Sequence, residues 1–249
     1  MSQIVPLDAK LHKNFSINPQ GTFNFAQNDQ LCPLVLTELP RVVFQTPIVF
    51  SKRHENQIGI FALQGLLPGT NLILDEAKKW SLPYVPARYR CYPFCLLKKE
   101  NSDETENLIV CFDDSLGVVG EHTEKNSVRL FGENGEPTDH LKKVISFLQE
   151  MHRAELQTIA GLKVLSDLEL LTDWRINLKS EDSTKEIKGL LKIDLRKVSS
   201  LSDKNFLLLR KKNLIPTVYE HIFSLRTINN LSKGVVDNNS DQINPSDSL

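Results

Sequence analysis

Pro47-Ile-Val-Phe-Ser-Lys-Arg53, His54-Glu-Asn-Gln57 and Ile58-Gly-Ile-Phe-Ala-Leu63 form the stretch that decides the fold. Two runs rich in β-branched and aromatic residues flank a short polar connection, which is the pattern of a β-hairpin. Just downstream, Leu66-Leu-Pro-Gly-Thr70 signals a turn centred on Pro68-Gly69. Asn71–Asp75 reads as a third short strand. Just upstream, Leu34, Leu36, Leu39, Val42, Val43 and Phe44 lie between Pro33 and Pro47, and Pro40 argues against one long helix there. In the first 29 residues Phe15, Ile17, Phe23 and Phe25 alternate with polar residues, predicting short extended segments.

Further along, Tyr84 to Leu97 is aromatic and apolar but interrupted by Pro86 and Pro93. A charged loop, Lys98–Asn107, leads to the strand candidate Leu108-Ile-Val-Cys-Phe-Asp113. Short connections make this first half mostly antiparallel. After the polar stretch 113–137, a helix starts at Pro137 or under a Thr138 cap. Leu141, Val144, Ile145, Leu148, Met151, Leu156 and Ile159 recur at helical spacing and predict one apolar face, ended or bent at Gly161 or Ser166-Asp167. Leu168–Leu178 and Ile187–Leu195 predict a second hairpin across the loop Lys179–Glu186. A Ser202-Asp203 cap, a break at Asn213 or Pro216, and Val218, Ile222, Leu225, Ile228 and Leu231 predict a helical C-terminus. The fold class is therefore α+β: a mostly antiparallel sheet with one amphipathic helix and a helical C-terminal segment. Residues 1–234 are expected to form a single domain. A subdivision, if there is one, falls near 132. Residues 235–249 are Asp-, Asn- and Ser-rich and are expected to be a disordered tail.

Composition narrows the function. The 249 residues are 40% hydrophobic and 24% charged, ordinary for a globular protein. Thirty Lys+Arg against thirty-one Asp+Glu give a net charge of −1, so no global basic field points to nucleic acid. No segment approaches the length of apolar sequence that spans a bilayer, and the start lacks the basic and apolar regions of a signal peptide. A cytoplasmic location is expected. Cys32, Cys91, Cys95 and Cys111 then read as reduced thiols; Cys91-x-x-x-Cys95 has one residue too many for a redox or zinc CxxC.

Several motifs together resemble the bacterial SapC family. They are Pro47-Ile-Val-Phe, Tyr84-Val-Pro-Ala-Arg-Tyr-Arg-Cys-Tyr-Pro-Phe94, Gly135-Glu-Pro-Thr138, Gly189-Leu190, Ile193-Asp194 and Tyr219-Glu-His-Ile-Phe-Ser-Leu225. Their order agrees with the family over roughly residues 4–232, and the aromatic–proline string at 84–94 is the most specific part. Cys91 stands where the family pattern carries a second basic residue after Arg90, which weakens a phosphate site built on paired arginines. The resemblance implies surface-array (S-layer) loci and genes beside outer-membrane receptors and oxygenase-like proteins, but no specific activity. Some members carry a transporter label, against which the lack of a spanning segment argues.

Tyr84, Arg88, Tyr89, Arg90 and Tyr92 pack three phenols and two guanidiniums into nine residues. One reading is a recognition surface for an anion or peptide. The other is a Pro-bounded edge strand whose aromatics cover the core while its arginines face water. His122-Thr-Glu124 has the spacing of a non-haem iron facial triad, for which His221 could be the distal ligand and Arg226 a cosubstrate anchor. His221 also lies near Ser224, yet no nucleophile elbow exists. Asp113-Asp114 and Asp139-His140 read as loop and first-turn residues rather than a cation site, and Arg210-Lys211-Lys212 as a solvated helix end. The expectation is a cytoplasmic accessory or binding protein of surface-layer or outer-membrane-receptor physiology, without cofactor or metal. Its partner is expected to be a protein, met through Tyr84, Arg88, Tyr89, Arg90, Tyr92 and His221. The competing class is a metal-dependent oxygenase or another peptide-modifying enzyme.

Overall fold

A computed structural model describes residues 3–18, 21–53, 57–98, 108–179, 184–231 and 242–243. The elements in chain order are β1 (Ile4–Pro6), β2 (Ser16–Ile17), β3 (Leu31–Pro33), α1 (Leu39–Val42), β4 (Ile48–Lys52), β5 (Ile58–Leu63), α2 (Ala87–Arg90), β6 (Phe94–Lys98), β7 (Leu108–Asp113), β8 (Val119–Gly120), β9 (Val128–Arg129), α3 (Asp139–Asp167), β10 (Leu171–Lys179), β11 (Thr184–Ile193), α4 (Leu195–Ser199), α5 (Asp203–Lys211), α6 (Ile215–Ser224) and β12 (Gln242–Ile243). The class is α+β, and the pairings between these strands are antiparallel.

The chain divides into two compact units, each made of non-contiguous stretches. Residues 1–25 and 87–153 make the first. It contains the sheets β1-β7-β6 and β8-β2-β9. Phe94, Phe112, Leu130, Leu141, Leu148 and Met151 are buried in its core. Residues 26–86 and 154–249 make the second unit, around the sheet β12-β10-β11-β4-β5-β3. Val49, Phe61, Leu63, Trp174, Ile176 and Leu190 form its core with Leu225, Ile228 and Leu231.

The hairpin predicted at 47–63 is β4-β5, with Val49 opposite Phe61 and Phe50 opposite Ile60. Ile48, Val49, Phe50, Ile60, Phe61, Ala62 and Leu63 are all buried, so both faces are covered. A continuous apolar run marks such a central strand, whereas alternation marks a half-exposed one. The predicted second hairpin is β10-β11, with a bulge between Trp174 and Ile176. His54–Asn56, residues 99–107 and 180–183 of the predicted loops, and the predicted tail apart from Gln242 and Ile243 lie outside the described residues.

The predicted helix is α3. The Thr138 hydroxyl accepts the Leu141 N–H at 3.4 Å, which selects the capped start. Gly161 neither ends nor bends it into two elements; it runs to Asp167, where Lys163 reaches the carboxylate at 2.8 Å and Glu169 turns with φ 54°. The single apolar face needs correction. Leu141, Leu148 and Met151 are buried, but Leu156 and Ile159 are 55% and 54% exposed. From Ala154 on, the helix belongs to a different core and buries Thr158, Gly161, Leu162 and Leu165 instead. Asn71–Asp75 is not a strand: it forms a turn with one bridge, Leu74 to Trp80, because Asn71 caps its own loop through Ile73 N–H (3.0 Å).

Candidate functional site

The segment 84–94 is not an edge strand up to Phe94. Pro86 precedes one helical turn, α2, closed by the Cys91 N–H on Ala87 O at 3.0 Å. Strand β6 begins only at Phe94. A helical turn points successive residues about 100° apart, so the arginines and tyrosines separate by position. Ala87 and Tyr89 are buried, whereas Arg88 and Arg90 are exposed.

The tyrosines are committed to packing. Tyr89 meets Phe25 edge-on, centroids 5.5 Å apart. Tyr92 stacks on the same Phe25, with ring centroids 3.8 Å apart and planes 10° from parallel. Burial and the nearby Asp113 carboxylate push the Tyr92 phenol above its ordinary value. The arginines sit outside this aromatic base. Arg90 lies 4.8 Å over the Phe147 ring. Among the described residues Arg88 forms no ion pair. Its charge acts on Cys95, whose thiol burial pushes up while Arg88 draws it down.

Tyr84 belongs to the second unit and is held there on three sides. Its hydroxyl donates to Glu38 Oε1 at 2.9 Å, its N–H donates to Gln45 Oε1 at 3.1 Å, and its carbonyl accepts from Trp80 Nε1 at 2.9 Å. The Arg41 guanidinium lies 5.4 Å from its ring centroid. Glu38 is only 4% exposed, and its Oε2 accepts the Val35 N–H at 3.0 Å. Sequence reasoning missed Glu38. The available signal was a glutamate three residues after the start of a turn, the back-reaching half of a capping box.

His221 is 0% exposed in the second unit. Strands β4 and β11 pair through Phe50–Leu191 and Ser51–Leu190, a register that two residues further on would oppose Ile48 to Ile193. The imidazole occupies that step. Ile193 N–H donates to Nε2 at 3.0 Å, and Nδ1 donates to Ile48 O at 2.9 Å. These bonds assign the neutral tautomer carrying its proton on Nδ1. Burial pushes the group down to about 3, against a smaller upward pull from the Ile48 bond. Ser224 completes the splice: its hydroxyl accepts the Ile48 N–H at 2.9 Å and donates to His221 O at 2.6 Å. Ser224 is thus bonded to backbone and not to the imidazole, so no serine nucleophile is assembled there.

The iron-triad pattern is likewise not brought together. His122 Nδ1 lies 3.7 Å from Glu124 in the first unit, and both His221 nitrogens are occupied by backbone groups in the second. A ligand nitrogen must offer its lone pair to the metal, and His221 offers its own to Ile193. Among the described residues no group of three or more His, Cys, Asp or Glu is placed to hold a metal ion. Asp113 accepts the Ser115 N–H at 2.9 Å as a loop residue, and Asp139 sits in the first turn of α3. None of the four cysteines is in a disulfide.

The motif order and this fold can be set against known proteins. A sequence model of the SapC family matches residues 7–231. The chain belongs to the SapC family. The match takes in both units of the SapC chain, including α2, β4-β5 and α6. No curated protein and no solved structure matches it. Among the described residues of this SapC chain, no helix is long and apolar enough to cross a membrane.

Proposed function

We propose that this SapC-family chain is a cytoplasmic accessory protein of surface-layer or outer-membrane-receptor physiology. It acts by binding a protein partner, and α2 carries the recognition. The observation behind this reading is the division of labour in 84–94. Tyr84, Tyr89 and Tyr92 are used internally, which leaves the two guanidiniums exposed on a braced helical turn. An exposed guanidinium on a braced backbone turn suits bidentate contact with carboxylates. An acidic segment of the partner is the expected counterpart. In this reading His221 and Tyr84 maintain the fold and do not touch the partner.

The test is native purification from cell lysate with mass spectrometry, for wild type and the double variant Arg88→Ala/Arg90→Ala. A stoichiometric partner recovered by wild type and lost by the folded variant supports the reading. Equal recovery removes the arginines from it. A solitary wild-type chain carrying a bound metal or metabolite moves the function to an enzyme.

A further inference from the structure

A groove of about 460 Å³ opens in the second unit, between the C-terminal half of α3, the turn at Leu36–Glu38 and the start of α6. Small residues, Ala154, Ala160 and Gly161 of α3, line part of it together with Pro40 and Pro216. Gly161 has no room for more, since a Cβ there would meet Leu36 Cδ1 at 2.8 Å and Leu214 Cδ2 at 3.0 Å. The Thr158 hydroxyl is already used, donating to Ala154 O at 2.7 Å and accepting the Leu36 N–H at 3.0 Å.

Two charged residues line the groove, Glu220 and Lys212. Lys212 is exposed, whereas Glu220 is partly buried. Among the described residues Glu220 makes no ion pair, and burial is the sole influence resolved on its titration, raising it. Among the described residues no cation, Lys212 of the same groove included, lies within ion-pair distance of this carboxylate. Losing water without a partner is unfavourable for a carboxylate, and an ammonium at hydrogen-bond distance reverses that balance. A cleft that joins apolar walls to a few polar groups is the usual form of a small-ligand site, and this one sets Gln157, Asn213 and Thr217 beside the two charges in a volume of the usual range.

We propose that this groove binds a small organic amine, a primary ammonium on a short apolar body. The ammonium meets Glu220 and the body lies along the Ala160–Gly161 wall. The site is separate from the α2 arginines and does not depend on the protein-partner reading.

The experiment is isothermal titration of the full chain with hexylamine, hexan-1-ol and hexanoate, three probes with one apolar body. Hexylamine should bind with Kd of about 1 mM or tighter, as its size permits. Loss of the charged contact should weaken the alcohol by about tenfold or more, and Glu220→Gln should weaken hexylamine equally. Ala160→Phe, placed at an exposed wall position, should fill the groove and abolish binding without unfolding the chain. Equal binding of amine and alcohol, preference for hexanoate, or unchanged affinity in Glu220→Gln overturns the proposal. So does an apolar peptide with one lysine that binds tenfold tighter than hexylamine, because the groove would then serve a protein.

Discussion

His221 shows how one side chain can stand in for a step of backbone pairing. Its neutral ring accepts from Ile193 and donates to Ile48, which a protonated ring cannot do. The folded-state value is about 3 and the ordinary value 6.5, so between these the unfolded chain binds the extra proton. Stability from this group is complete above about pH 6.5 and falls as the pH drops, by up to about 1.4 kcal/mol per pH unit. Denaturant unfolding at several pH values checks this. Wild type should lose stability faster than His221→Gln between pH 6.5 and 4, and parallel curves would contradict the assignment. At the same scale, Tyr84→Phe removes the hydroxyl from a carboxylate that is 4% exposed. It should cost about 1–3 kcal/mol, the usual effect of leaving a buried acceptor short of a donor. Chemical denaturation measures the loss, and an unchanged midpoint would mean that water replaces the hydroxyl.

At the scale of elements, α3 changes partners part-way along. Its first half buries Leu141, Leu148 and Met151, and its second half buries Leu162 and Leu165. Leu156 and Ile159 fall where the two buried stripes are out of phase, so both are more than half exposed. Leu156→Gln with Ile159→Gln should therefore change stability by less than about 0.5 kcal/mol, while Leu165→Ala should cost about 2–5 kcal/mol. Thermal melts of the two variants distinguish a helix that switches cores from one with a single continuous stripe. The turn after β5 is tighter still. A Cβ on Gly65 would press into the Thr70 carbonyl oxygen and lie 2.9 Å from its carbonyl carbon. Backbone cannot rotate aside as a side chain can, so Gly65→Ala should cost about 2 kcal/mol or more.

At the scale of the whole molecule, the chain passes between its units at 25/26, 86/87 and 153/154. The last passage falls inside α3, whose i to i−4 bonds continue across it. We therefore propose that residues 1–234 unfold as one cooperative domain. Calorimetry should give a single transition whose calorimetric and van't Hoff enthalpies agree; two resolved transitions would assign the units independent stability. Arg88 is exposed and carries no part of either core, so Arg88→Ala should leave that transition unmoved, whereas Arg90→Ala also loses the contact with Phe147.

The α+β class, both long hairpins, the capped start of α3 and the break at Asn213 follow from local chemistry. Apolar runs, turn residues and caps act over a few neighbours and remain legible in one dimension. Gly135, Pro137 and Thr138 could be placed at a helix start without knowing what the helix packs against. The family resemblance was legible for a related reason, since its motifs are contiguous strings. The site was not legible to the same degree. Three tyrosines and two arginines look alike along the string 84–94, and only packing decided that Tyr89 and Tyr92 brace against Phe25 while the guanidiniums face out. The spacing of His122, Glu124 and His221 could not reveal that Ile48 and Ile193 occupy both nitrogens of the last. Glu38 and Glu220 gained their meaning from burial, which depends on residues far away in sequence. Sequence alone determined which segments could become helix, strand or turn. Tertiary structure decided which polar groups lost water and which found partners, because desolvation belongs to the packed whole and not to any segment.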